Sequence, residues 1–192
     1  MIRALGRALL LGLLLAGSAR SAELEGLSIP DEIRVDDRPL RLNGFGRREA
    51  TRFFITGTVY VAALHVESPS READRILQSD ELKQITLRYL YAIEEADMKR
   101  AWAYSFEQSC PKRDCAAWEK PIASFDGLVR GVSPGDTYVY RFFPDRVEVE
   151  LDGAPLGSIA APGFSALLLS TWIGSAPPTQ DLKQALLGGS NE

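Results

Sequence analysis

The 192-residue chain has little of what several function classes require. It carries one histidine, His65, and two cysteines. A single imidazole leaves no basis for a histidine-built zinc site or a histidine-dependent catalytic triad. Two cysteines without further ligands make no structural zinc site, and no metal or cofactor is called for. There is no run of like charge and no Lys/Arg-rich stretch, and the net charge is −4. The electrostatic footprint of a nucleic-acid-binding protein is therefore missing. No low-complexity tract, internal repeat or linker divides the chain. With 45% hydrophobic and 25% charged residues the composition is that of an ordinary globular domain, and at this length one core is expected.

The one pronounced apolar run is at the N-terminus. Arg3 and Arg7 precede Ala8–Ala16, and the small residues Gly17, Ser18, Ala19, Ser21 and Ala22 follow. A charged head, a short apolar centre and a small-residue end have the order of a secretory signal peptide. The run is too short for a spanning helix, which needs about 20 residues. Residues 1–22 are read as a signal peptide and 23–192 as a single domain, periplasmic or secreted, with no membrane span in the mature chain. Cleavage after Ala19, Ser21 or Ala22 is compatible with the residues. Removing all 22 takes away Arg3, Arg7 and Arg20 but no acid, leaving 19 basic against 26 acidic residues, or −7.

Export changes the meaning of the two thiols. Cys110 and Cys115 flank Pro-Lys-Arg-Asp. In an oxidising compartment a local disulfide is expected, pinning a loop. The alternative, a redox-active pair, does not fit the spacing, which is not Cys-x-x-Cys.

Periodicity then sets a coarse architecture. Ile33 and Val35 alternate as an edge strand would. Leu40–Arg48 reads as one strand that bends, its glycines marking a bulge or the close approach of another group. Phe53–Val66 is a long β-favouring run. Ser70 is placed to cap a helix whose face is Ala73, Ile76 and Leu77. Leu82–Tyr91 alternates without a cleanly polar face, as expected of a strand between a core and a cleft. Glu94–Phe106 has helical spacing, with Met98, Trp102 and Phe106 on one side and acids in its first turn. Pro121 suits the first turn of a helix burying Ile122, Phe125, Leu128 and Val129. Tyr138–Phe143, Arg146–Leu151 and Leu156–Ala160 form a meander, punctuated by Pro144-Asp145 and Asp152-Gly153. Phe164–Ile173 is a strongly apolar helix ending at Gly174, and a last helix follows Pro177-Pro178. The result is an α+β domain.

Four segments together carry a resemblance. They are Leu42-Asn-Gly-Phe-Gly-Arg-Arg48, Val59-Tyr-Val-Ala-Ala-Leu64, Pro162-Gly-Phe-Ser-Ala-Leu-Leu-Leu-Ser-Thr-Trp-Ile-Gly174 and Leu182-Lys-Gln-Ala-Leu-Leu-Gly188. In this order they resemble the bacterial chalcone isomerase-like family, over essentially the whole mature chain. The resemblance implies an open-faced β-sandwich of the chalcone isomerase type, in which a large antiparallel sheet is backed by helices with a ligand cleft between. The superfamily contains plant chalcone isomerases, plastid fatty-acid-binding proteins and non-catalytic relatives, so the fold does not decide the function.

Carried over residue by residue, Arg48 matches the arginine that grips a phenolate or carboxylate oxygen in this superfamily. A guanidinium is always charged and offers a planar fork of donors, which suits either anion. Tyr60 resembles the tyrosine that pairs with that arginine in the fatty-acid binders. Tyr89 and Tyr91 are further candidates for the cleft, and Arg88 for a second cation. The Lys, Tyr and Asn that isomerases carry on the following strand-to-helix segment have no clean counterpart in Ile85–Trp102. Trp102 and Trp172 read as core, and His65 as a strand-end residue without a catalytic task. The leading expectation is a module binding a fatty acid or similar amphipathic anion. The alternatives are an intramolecular lyase of the chalcone isomerase type acting on a phenolic substrate, and a non-catalytic interaction domain of the cell envelope.

Overall fold

The computed structural model describes residues 21–52, 54–110 and 115–189. Of the leader assigned to residues 1–22, all but Ser21 and Ala22 lies outside them. The main sheet has seven strands, every neighbouring pair antiparallel, in chain order. With Ser21–Leu24 and Leu27–Pro30 as β1 and β2, these are β3 Glu32–Val35, β4 Arg38–Arg52, β5 Ile55–Val66, β6 Lys83–Tyr89, β7 Thr137–Phe142, β8 Arg146–Leu151 and β9 Ala154–Ala160. The helices are α1 Ala73–Gln78, α2 Glu95–Ser109, α3 Glu119–Asp126, α4 Phe164–Ile173 and α5 Gln180–Leu186, with a 3₁₀ turn at Cys115–Trp118 before α3. This is the expected α+β arrangement of a large antiparallel sheet backed by helices. Among the described residues no helix is long and apolar enough to cross a membrane.

Strand alternation sorts the side chains. On β5, Tyr60, Ala62, Leu64 and Val66 face the helices and join the main core, while Val61 and Ala63 face the other way. That outer face is covered locally by the β1–β2 hairpin, through Leu27 and Ile29. The hairpin was not legible as such: the sequence suggested only a short lead-in. Its turn is Glu25-Gly26, with φ of 48° and 76°, the left-handed pair of a type I′ turn. Asp36-Asp37 (48° and 61°) and Asp152-Gly153 (50° and 79°) use the same turn geometry. A second apolar cluster, Val35, Leu40, Leu82 and Phe143, lies apart from the main core, and between strands β6, β7 and β8 the outer face is polar, as where Arg141 bonds Gln84 at 3.1 Å and Glu150 at 2.9 Å.

Helix α4 is apolar nearly all round, and Phe164, Leu168, Leu169, Trp172 and Ile173 are all buried. A helix of that kind must be enclosed on several sides. It packs against the sheet with α1, α2 and α5 around it. The disulfide Cys110–Cys115 is formed, Cα atoms 5.5 Å apart, and ties the end of α2 to the turn before α3. One helix start and one helix finish differ from expectation. Ser70 does not cap α1: Glu72 holds that place without a side-chain bond, and the hydroxyl of Ser70, two residues before it, accepts the Glu72 N–H. Helix α3 ends before Leu128 and Val129, which pack from the following loop.

The bend in β4 has both of the causes a strand glycine suggests. The pairing of β4 with β5 shifts register between Leu42 and Gly44. A Cβ on Gly44 would also run into the Ala185 carbonyl oxygen and lie 2.8 Å from the Gly188 nitrogen, so the end of α5 rests directly on bare backbone. Asn43, buried, completes the contact: its amide donates to the Leu186 carbonyl at 2.7 Å, and its oxygen accepts the Ser70 N–H at 2.7 Å. Asn43→Ala should cost about 1–3 kcal/mol, the penalty for leaving such partners unpaired. Gly44→Ala should cost at least as much, because backbone has to move. Urea denaturation measures both; a Gly44→Ala protein as stable as the wild type would refute this anchor.

His65 fastens the hairpin from beneath. The Pro30 carbonyl can only accept, so Nε2 carries the proton and donates to it at 2.8 Å, and Nδ1 is buried without a partner. Burial holds the imidazole pKa below its ordinary value, against the opposing pull of the Pro30 bond. The unfolded chain, with an ordinary histidine near pH 6.5, then binds more protons than the folded one as pH falls below that value. Stability should therefore decline from pH 7.5 toward 5.5. His65→Gln, which can still donate to Pro30, should flatten that slope in urea titrations at the two pH values.

Candidate functional site

The inner face of the sheet and the helices do not meet everywhere. Between β4, β5 and β6 on one side and α2 and α4 on the other lies a cavity of about 220 Å³. Its sheet wall is built by register. Arg48 on β4 stands opposite Tyr60 on β5, and Tyr60 stands opposite Tyr89 on β6, so the three share one cross-strand row. The Tyr60 and Tyr89 rings lie 5.4 Å apart. Its helix wall is Met98, Ala101, Trp102 and Ser105 from α2 and Thr171 and Trp172 from α4, with Pro178 beyond.

The neighbouring arginines of β4 point to opposite faces. Arg47 turns outward and pairs with Glu25 of the β1–β2 turn at 3.3 Å. Arg48 turns inward, half-buried, and its guanidinium donates to the neighbouring Glu49 carbonyl. Among the described residues it forms no ion pair. A second register shift, between Arg48 and Glu49, marks the point where the strand leaves regular pairing.

The hydroxyls beside Arg48 are neutral. Burial pushes the Tyr60 phenol up to about 12, although hydrogen bonding with Trp172 and the Arg48 charge both pull it down. Tyr89 is raised well above the ordinary range, first by burial and then by the neighbouring tyrosines, and its hydroxyl meets only the Met98 sulfur, at 3.8 Å. The Thr171 and Ser105 hydroxyls are turned back onto carbonyls of their own helices at 2.7 and 2.9 Å. Among the described lining residues, the polar side-chain groups besides the Trp102 and Trp172 indoles and these two hydroxyls are one guanidinium and two un-ionised phenols, over walls otherwise of aliphatic and aromatic carbon. Among the described lining residues there is no carboxylate, imidazole, thiol or amine to take up a proton near neutral pH. Among the described residues no group of three or more His, Cys, Asp or Glu could hold a metal ion.

Of the residues singled out from sequence, the structure brings Arg48, Tyr60 and Tyr89 together and leaves Tyr91 out. The strand ends at Tyr89, so the alternation that would put Tyr91 on the same face stops. Tyr91 is 56% exposed and lies over Gly57. Arg88 is on the outer face, where it donates to the Gly135 carbonyl at 2.9 Å, and adds no cation to the cavity. Trp102 and Trp172 are core residues as expected, but they are also cavity walls. Met98 and Thr171 were not singled out as cavity residues. Helical spacing showed that Met98 would face the sheet, but nothing in it signals that the sheet stands off at this point.

Comparison with known proteins follows the same lines. Residues 21–188 match the model of a family described as chalcone isomerase-like. No curated protein matches the sequence. Among solved structures, the crystal structure of a fatty-acid-binding protein of Arabidopsis thaliana superposes with a TM-score of 0.73 at 18% identity, over 88% of this chain and 96% of that one. Identity that low carries the fold and no more. The family match spans nearly the whole described chain, from the hairpin that His65 fastens to Gly188 after α5, and the chain belongs to the chalcone isomerase-like family.

Proposed function

We propose that this protein binds a fatty acid or a similar amphipathic anion, with its head on Arg48 and its tail in the sheet–helix cavity. The observation that carries this reading is a guanidinium turned into an apolar cavity with no carboxylate to answer it among the described residues. A buried or half-buried charge of this kind gains most from an incoming anion. Tyr60 stands directly across the strand, protonated, so its hydroxyl can donate to a carboxylate oxygen that Arg48 already holds. Apolar walls then favour a hydrocarbon tail over a polar one. The fold likeness to a protein named for fatty-acid binding supports the same reading. An isomerase would need groups to steer a phenolic ring closure, and among the described lining residues the candidates free to do so are the arginine and the two phenols.

The reading includes export. The Arg3/Arg7 head and the Ala8–Ala16 run support it, as does a disulfide at Cys110–Cys115. Among the cleavage points considered, the pairing of β1 supports the earlier ones, after Ala19 or Ser21. Ser21 and Ala22 pair with Pro30 and Ile29, so a cut after Ala22 would remove half of β1.

Calorimetric titration with a fatty acid and the alcohol of equal chain length tests the grip. Arg48→Ala should weaken the acid about tenfold to a hundredfold, the equivalent of one charge-assisted bond, and leave the alcohol nearly unchanged. Arg48→Lys should recover part of the loss, since the planar fork is gone. Equal binding of acid and alcohol by the wild type would remove the anion grip. For export, intact-mass measurement of protein from the producing cells should give a chain beginning between Arg20 and Glu23; a chain beginning at Met1 would overturn it.

A further inference from the structure

A second hollow, of about 610 Å³, opens between α2 and α3. It shares one residue with the first cavity, Trp102. The indole stands between them. On one side its ring meets Trp172 at 5.3 Å, and Trp172 walls the first cavity. On the other it meets Phe125 edge-on at 4.7 Å and Phe106 at 5.9 Å, both of which wall the second. Tyr140, from the sheet, closes on it at 5.8 Å. Four aromatic neighbours and 8% exposure make this side chain a fixed partition, not a flap.

We propose that Trp102 sets the length of acyl chain this protein accepts, by walling off a larger chamber that a longer tail would otherwise fill. The proposal rests on the binding reading given above. The first cavity, at about 220 Å³, has the room of roughly seven water-sized groups at roughly 30 Å³ each. With the carboxylate at Arg48 this admits a tail of medium length, about eight carbons in all by the same measure. The second hollow is nearly three times larger and its inner wall is Phe106, Ile122 and Phe125. Its rim carries Glu107, Glu119 and Asp126, all exposed, so an anionic head is repelled there and only a tail coming from the Arg48 side suits it. Among the described residues Trp102 is the one that lines both spaces.

The test is a series of straight-chain fatty acids from six to sixteen carbons, titrated calorimetrically below their micelle concentrations. Each methylene that finds room inside should raise affinity about fourfold, and each that does not should add nothing. The wild type should gain up to about eight carbons and then level off. Trp102→Leu, which keeps an apolar side chain of smaller size, should carry the gain on to fourteen carbons or more. Adding Ala123→Trp, which fills the second hollow from α3, should bring the plateau back to its original length. This second variant separates loss of the wall from general loosening, which it would not reverse. If no acid of any length binds, the binding reading itself falls. If acids bind but the wild-type gain continues to sixteen carbons, or the plateau ignores Trp102→Leu, the partition is refuted and the binding reading stands.

Discussion

The helical layer is held to the sheet by a contact that admits no side chain. At Gly44 the backbone of β4 lies against the final turn of α5, and Asn43 beside it bonds the Leu186 carbonyl and the chain ahead of α1. This fixes one end of the helical layer close to the sheet. Five residues along the same strand the layers part, and Arg48 faces a cavity where Asn43 faced a helix. One strand therefore acts as both hinge post and cavity wall. Its two register shifts, near Gly44 and after Arg48, fall at those two places.

The chemistry of the cavity follows from what its neighbours do with their own polar groups. Thr171 and Ser105 satisfy their hydroxyls within their helices, so they contribute little more than carbon to the walls. Tyr60 and Tyr89 lie too deep to ionise near neutral pH. Among the described lining residues a positive charge therefore sits beside neutral donors, with no carboxylate, imidazole, thiol or amine. Such a set is well suited to hold an anion still and poorly suited to move a proton.

What could be read from the sequence was whatever is decided locally. The meander, with its Asp152-Gly153 turn, and the strongly apolar Phe164–Ile173 helix up to Gly174 depend on nearby residues, and both fall where expected. So does the ambiguity over β4: the glycines called for a bulge or a close approach, and there are both. The β1–β2 hairpin was missed because Ser-Ala-Glu-Leu has no strong β pattern, and because the surface that receives it, Val61 and Ala63, lies some forty residues away. Tyr91 was misplaced by extending strand alternation two residues past the point where the strand stops. For Arg48 the resemblance to a family supplied what periodicity could not, since Arg47 and Arg48 are locally equivalent and only the pairing of β4 says which one turns inward.

That pairing has a consequence for how the gene encoding this chain can change length. Arg47 clasps the outer hairpin and Arg48 enters the cavity because they are adjacent on a strand whose sides alternate. Gain of a single codon between the Asn43-Gly44 anchor and this pair would move Arg47 to the cavity place and leave Glu25 of the hairpin without its arginine, and loss of one would bring Glu49, an anion, to the cavity in place of the guanidinium. Length variation is thus barred from that short stretch of β4. It is far better tolerated at the Asp36-Asp37 tip, where the chain reverses in solvent before either commitment is made.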